Sequence, residues 1–148
     1  MSRPQPVDDV QAVEVANAEL YEAIESGDLD RMERVWAGDE LADSVMCVHP
    51  GSAPIRGRAE VLRSWALIMA NTTYIQFFLT DVDINVMGDV AVVTCSENIL
   101  TADSPEGDLA GGRVVATNVF RRTGAGWRLW LHHGSPVAVQ EETGEKES

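Results

Sequence analysis

The chain has 148 residues, 45% of them hydrophobic, with 24 Asp and Glu against 11 Lys and Arg, a formal net charge of -13 at pH 7. That is the size and apolar content of one domain around one core. The charge repels polyphosphate and anionic headgroups, which argues against nucleic acid and membrane surfaces as partners. No apolar run approaches the roughly 20 residues that span a bilayer, and Met1 to Val10 has no secretory apolar stretch, so a cytoplasmic location is expected. Cys47 and Cys95 lie in apolar runs and read as reduced core thiols.

From Val10 to Ser26, Val13, Ala16, Leu20 and Ile24 recur at helical spacing, with Asp8 or Asp9 as cap and Gly27 as stop. Asp28 caps a second amphipathic helix carrying Leu29, Met32, Val35 and Trp36, which ends near Gly38. Ser44 to His49 is a brief strand broken by Pro50-Gly51, and a third helix runs from Gly57 to Asn71 through Val61, Leu62, Trp65, Ile68 and Met69. After Thr72 the period changes to two, predicting strands at Thr73–Met87, Val90–Thr101, Arg113–Thr123 and Trp127–Val139. Gly88-Asp89 and Gly124 to Gly126 are turn signals, and Ala102 to Gly112 reads as a longer mobile loop. Helices followed by an antiparallel meander give an α+β domain over 10–139, with a 1–9 extension and an acidic 140–148 tail expected to be disordered. Strands this long are expected to bend or bulge, curling the sheet around the helices.

The order helix, Gly-Asp-Leu-Asp, helix ending in Trp36, strand ending in His49-Pro50-Gly51, the Gly57-Arg58 helix, then strands closing in Trp127-Arg128-Leu129 and His133-Gly134-Ser135-Pro136 resembles the SnoaL-like branch of the nuclear-transport-factor-2-like superfamily. The resemblance covers roughly residues 10–137. It implies a cone-shaped, cystatin-like α+β barrel, with three N-terminal helices in the concave face of a strongly curved, mostly antiparallel sheet. It also implies a pocket at the open end for a small apolar organic ligand, and frequently a homodimer through the outer sheet faces, where Val92, Thr94, Val115, Thr117 and Trp130 are expected. The superfamily's reactions include isomerisation, cyclisation, dehydration and epoxide hydrolysis, and some members have no known catalysis.

Ketosteroid isomerases of this superfamily place a base aspartate before a proline, and His49 fills that slot; a neutral imidazole accepts or relays protons near neutral pH. Asn118 stands where their protonated aspartic acid donates to an oxyanion, on a face shared with Val114, Ala116 and Phe120. Aligning the Gly-Asp joints puts Glu19 where they carry a donor tyrosine, with Tyr21 on the other edge of the helix stripe. Alternation along the last strand puts His133 inside with Leu129 and Leu131, and His132 outside with Arg128 and Trp130. Glu97 alternates with Val93, Cys95 and Ile99, either as a buried acid orienting a histidine or as the strand's exit into solvent. Trp36, Trp65 and Tyr74 supply aromatic surface to pocket or core. His49, His133 and Glu97 formally make a metal triad, but no sequence-close ligand spacing supports it, so neither metal nor other cofactor is expected. Cys47 lies two residues from His49 on one strand, a spacing that argues against a thiolate–imidazolium pair. Two readings stand: a cofactor-independent acid–base enzyme using His49, Asn118 and His133, or a non-catalytic binding or assembly module.

Overall fold

The computed structural model describes residues 6–102 and 106–138. The chain forms helix α1 (Pro6–Ser26), helix α2 (Leu29–Val35), a 3-10 turn (Asp39–Ser44), strands β1 (Met46–Val48) and β2 (Ile55–Arg56), helix α3 (Arg58–Ala70), and strands β3 (Tyr74–Met87), β4 (Val90–Ala102), β5 (Ala110–Thr123) and β6 (Gly126–Pro136). One six-stranded sheet has the order β2-β1-β6-β5-β4-β3. Its neighbours are antiparallel except β1 and β6, which run parallel. The α+β class and the helices-on-curved-sheet architecture are as the sequence implies.

Local chemistry sets the boundaries. Gly27 takes φ 63, which a Cβ disfavours, and ends α1. Asp28 accepts the Arg31 backbone N–H at 3.1 Å and starts α2. The expected cap at Asp8 or Asp9 is not seen: α1 begins at Pro6, and the Asp9 carboxylate instead receives the Arg122 guanidinium through two 3.0 Å bonds. That fork ties α1 to the end of β5, so the helix extends into the expected N-terminal extension.

Val13, Leu20, Ile24, Met32, Trp36, Val61, Trp65, Val93, Ala116, Phe120 and Leu129 fill the space between helices and sheet. Two irregularities bend it. Register shifts between Thr80 and Asp83 in β3, where Asp81 has φ 55, and again in β6, where Val119 faces Leu131 but Phe120 faces Leu129. The extra residue in β6 is Trp130, and a one-residue insertion inverts the faces beyond it.

That bulge corrects the histidine assignment. Trp127 and Leu129 point inward before it; His132 and Gly134 point inward after it, and His133 is exposed. The 140–148 tail lies outside the described residues.

Candidate functional site

A polar cluster lies in the core between α1 and the sheet. Asn17, Glu97, Asn118 and His132 are each less than 5% exposed, as is Tyr21. Sheet register places them: Val93, Asn118, His132 and Cys47 form one row across β4, β5, β6 and β1, with Cys95 and Ala116 in the next row and Glu97 beyond. Asn17 and Tyr21 are four apart on α1, on one helix face above these rows.

The hydrogen bonds form one directed chain. His132 Nδ1 lies 2.5 Å from Asn118 Oδ1. The Asn118 amide donates to Asn17 Oδ1 at 2.9 Å and to the Tyr21 hydroxyl at 3.1 Å, and Tyr21 donates to Glu97 Oε2 at 2.6 Å. An amide whose nitrogen donates twice must accept at its oxygen, so His132 carries its proton on Nδ1 and leaves Nε2 as a lone pair. The Tyr21 hydroxyl also lies 3.8 Å from Cys95 Sγ.

Burial sets the charges. Desolvation pushes the His132 pKa down to about 3, and the nearby His49 and His133 imidazoles further disfavour a positive charge there, so its ring is neutral. Desolvation raises Glu97 to about 7, only partly opposed by the Tyr21 hydrogen bond. Tyr21 is raised well above the phenol range, by burial first and by Glu97 second, and keeps its proton.

His49 stands at the edge of this cluster, half-buried, its ring edge-on to Trp65 at 4.8 Å, while Trp65 lies 5.8 Å from His132. Its Nε2 is 2.9 Å from Ser64 Oγ, whose hydroxyl donates to the Val61 carbonyl at 2.7 Å. With that proton committed, His49 donates from Nε2 and Nδ1 is the base position, with the Cys47 Sγ 3.9 Å away. Burial lowers its pKa, keeping the ring neutral. The Pro50 ring closes over Gly134, where an added Cβ would sit 3.2 Å from Pro50 Cγ and 3.1 Å from Val114 Cγ1.

The other expected site residues separate. Glu19 is on the opposite side of α1 from Tyr21, since two residues turn a helix by about 200°; its carboxylate pairs with Arg31 at 3.1 Å and is 46% exposed. The helix donor in the cluster is therefore Tyr21. Trp36 is a core residue at 2% exposure. Tyr74 is exposed, its hydroxyl donating to Gln76 at 2.6 Å. Cys47 Sγ approaches the His49 ring to 3.7 Å, closer than the strand spacing suggests because the ring folds back. Burial nevertheless holds the thiol up at about 12, the Trp65 side chain only partly offsetting it, so no thiolate forms. Among the described residues no group of three or more His, Cys, Asp or Glu could hold a metal ion. Asn17, Ser64 and His132 are the site residues that sequence reasoning passed over; the i, i+4 pair Asn17 and Tyr21 was the available signal.

A cone of helices on a curved six-stranded sheet is the architecture of the nuclear-transport-factor-2-like superfamily, to which structural neighbours of this chain belong. Within it, the chain belongs to the SnoaL-like domain family, whose sequence profile matches residues 13–140. A solved structure from Streptomyces avermitilis, described as a candidate dehydratase of the NTF2-like family, is 53% identical, with a TM-score of 0.86 over 91% of this chain and 100% of that one. One from Thiobacillus denitrificans, described as a candidate calcium/calmodulin-dependent protein kinase type II association domain, is 33% identical, with a TM-score of 0.73 over 93% and 99%. F-box protein SKIP8 of Arabidopsis thaliana is 26% identical over 89% of this chain and 52% of its own length, so the chain spans about half of that curated relative. The fold and family make this a small-molecule-binding type of domain. Among the described residues, no helix is long and apolar enough to cross a membrane.

Proposed function

We propose that this domain binds a small, neutral, hydroxyl-bearing organic molecule at the open end of the cone and removes water from it by proton transfer. The reading is carried by a neutral His49 at the edge of the concave cluster and a Glu97 carboxyl held near pH 7 further along it, joined through Trp65, His132, Asn118 and Tyr21. Such a pair supplies base and acid together at cellular pH.

Donor accounting sets the ligand class. The Tyr21 proton is committed to Glu97, both Asn118 amide protons are committed to Asn17 and Tyr21, and the His49 and His132 N–H groups are committed to Ser64 and Asn118. Trp65 Nε1 is a donor, but it is buried without a hydrogen-bond partner. The Asn17 amide, Trp65 Nε1 and the protonated Glu97 carboxyl remain as donors, beside acceptors at His49 Nδ1 and His132 Nε2, a set that suits a neutral ligand carrying both carbonyl and hydroxyl groups. Asn118 thus acts as a positioning residue, orienting His132 and Tyr21.

In the proposed step His49 Nδ1 takes a proton from the carbon beside a carbonyl. The protonated Glu97 gives its proton to the departing hydroxyl, the C–O bond breaks as the C=C bond forms, and water leaves. His49 then returns its proton to solvent and Glu97 is reprotonated. The 53% identical relative described as a candidate dehydratase supports this class.

The test is a panel of neutral β-hydroxy ketones, with the conjugated product followed by ultraviolet absorbance. Turnover should fall at least about 100-fold in both His49→Ala and Glu97→Gln. Full activity in either variant overturns the assignment. Absence of turnover while native mass spectrometry finds bound ligand leaves a binding module instead.

A second reading, assembly, is favoured by the 33% identical association-domain relative. It calls for a homodimer through the outer sheet face, where Val115 is 46% exposed and Trp130 lies under Arg121 at 4.6 Å. Light scattering should then give twice the chain mass, and Trp130→Glu should give the monomer.

A further inference from the structure

On the opposite side of α1 from Asn17 and Tyr21, a groove of about 550 Å³ opens between α1, α2 and the start of β6. Ala12, Ala16, Val35 and Trp127 give it an apolar lining, and Arg34 and Arg128 stand at it. Its charge is unusual for a chain of net charge -13. The one acid in the lining, Glu19, is already paired with Arg31 at 3.1 Å. Among the described residues Arg34 has no side-chain partner, and the Arg128 guanidinium donates only to the neighbouring Trp127 carbonyl at 3.1 Å. Arg122, by contrast, is held by Asp9 and Asp89. Here two guanidinium groups face an apolar trough without a carboxylate of their own.

We propose that this groove is a second ligand site, distinct from the concave cluster, and that it takes a small amphiphilic carboxylate. The acyl or aryl body would lie on the Ala12, Val15 and Ala16 surface, and the carboxylate would be shared by Arg34 and Arg128. Planar guanidinium groups suit a carboxylate in geometry as well as charge. The volume is within the range of small-molecule sites. The chain's own acidic tail is a poor occupant in cis. It leaves from the Pro136 end of β6, whereas Arg128 is at the Gly126 end. The ten residues after Ala138 reach roughly 33–36 Å at full extension, nearly all of it consumed in retracing the strand.

The experiment is a titration of the uniformly labelled full chain with octanoate, read by amide chemical shifts, with octanol and octyltrimethylammonium in parallel. Saturable shifts confined to Ala12, Ala16, Gly126 and the Trp127 indole are expected, with Kd below about 1 mM. Arg34→Gln and Arg128→Gln should each weaken octanoate at least about tenfold. Octanol and the cation should not saturate. Arg34 is exposed, so Arg34→Gln keeps the test valid if Arg128→Gln perturbs β6. The proposal is overturned by no saturation at 10 mM, by equal binding in Arg34→Gln, or by octanoate shifting signals of residues 140–148, which would mean the acidic tail of another copy occupies the groove.

Discussion

Replacing Glu97 by Gln should expose a pH dependence of stability that the native protein conceals. Glu97 is raised to about 7 from an ordinary 4.5, so the folded state holds its proton more tightly than the unfolded chain. Its contribution is fully present below pH 4.5 and is lost as pH rises through 7. His132 is lowered to about 3 from 6.5, so its contribution is present above pH 6.5 and is lost as pH falls toward 3. His49 is lowered too and acts with His132. Between pH 4.5 and 7.5 the two effects oppose one another. Asp9, held low by the Arg122 hydrogen bonds, acts below this window, and Cys47 and Cys95, raised by burial, act above it. At 1.36 kcal/mol per pKa unit, Glu97→Gln should gain stability by on the order of 2–3 kcal/mol from pH 4.5 to 7.5, and His132→Gln should lose a similar amount. Urea denaturation at pH 4.5, 6 and 7.5 reads this as a midpoint shift of about 1–2 M in opposite directions for the two variants. The native protein should lie between them. Parallel profiles for all three proteins would refute the argument that this pair dominates the titration.

Tyr21→Phe strands the Asn118 amide and the Glu97 carboxylate, and should cost about 2–4 kcal/mol by urea denaturation at pH 7.5, whereas Glu19→Gln on the other helix face should cost under about 0.5 kcal/mol. Gly134→Ala puts a Cβ against Val114 and Pro50; a loss of about 1–3 kcal/mol is expected, with the His49 ring signals displaced in a nuclear magnetic resonance spectrum. Ser64→Ala removes the acceptor that fixes His49, and nitrogen-15 shifts should change from an Nε2–H form to a mixture of tautomers, with Ser64→Thr restoring the native pattern.

Much of the fold is legible because it is written in local chemistry. The Gly27-Asp28 joint, the Gly57 and Asn71 limits of α3 and the Gly88 turn are side-chain or φ requirements that a sequence displays directly. The site is less legible for two physical reasons. Alternation assigned His133 to the interior, but it holds only while the strand is regular, and Trp130 is inserted without any glycine or proline to mark it. On α1, Val13, Leu20 and Ile24 define an apolar stripe, while the buried face also includes Asn17 and Tyr21, whose burial depends on partners a hundred residues away on β5. A satisfied amide resembles a surface amide until the sheet that satisfies it is in place. His49 was recognisable because its neighbour Pro50 marks the end of β1, but Ser64, which fixes its tautomer, belongs to no motif.

The central claim is that the concave cluster holds an acid poised at neutral pH, and carbon-13 titration of the Glu97 carboxyl tests it directly. The account predicts a midpoint near 7, rising further in Tyr21→Phe because the hydrogen bond that favours the carboxylate is gone. A midpoint near 4.5, unmoved by that substitution, would contradict it.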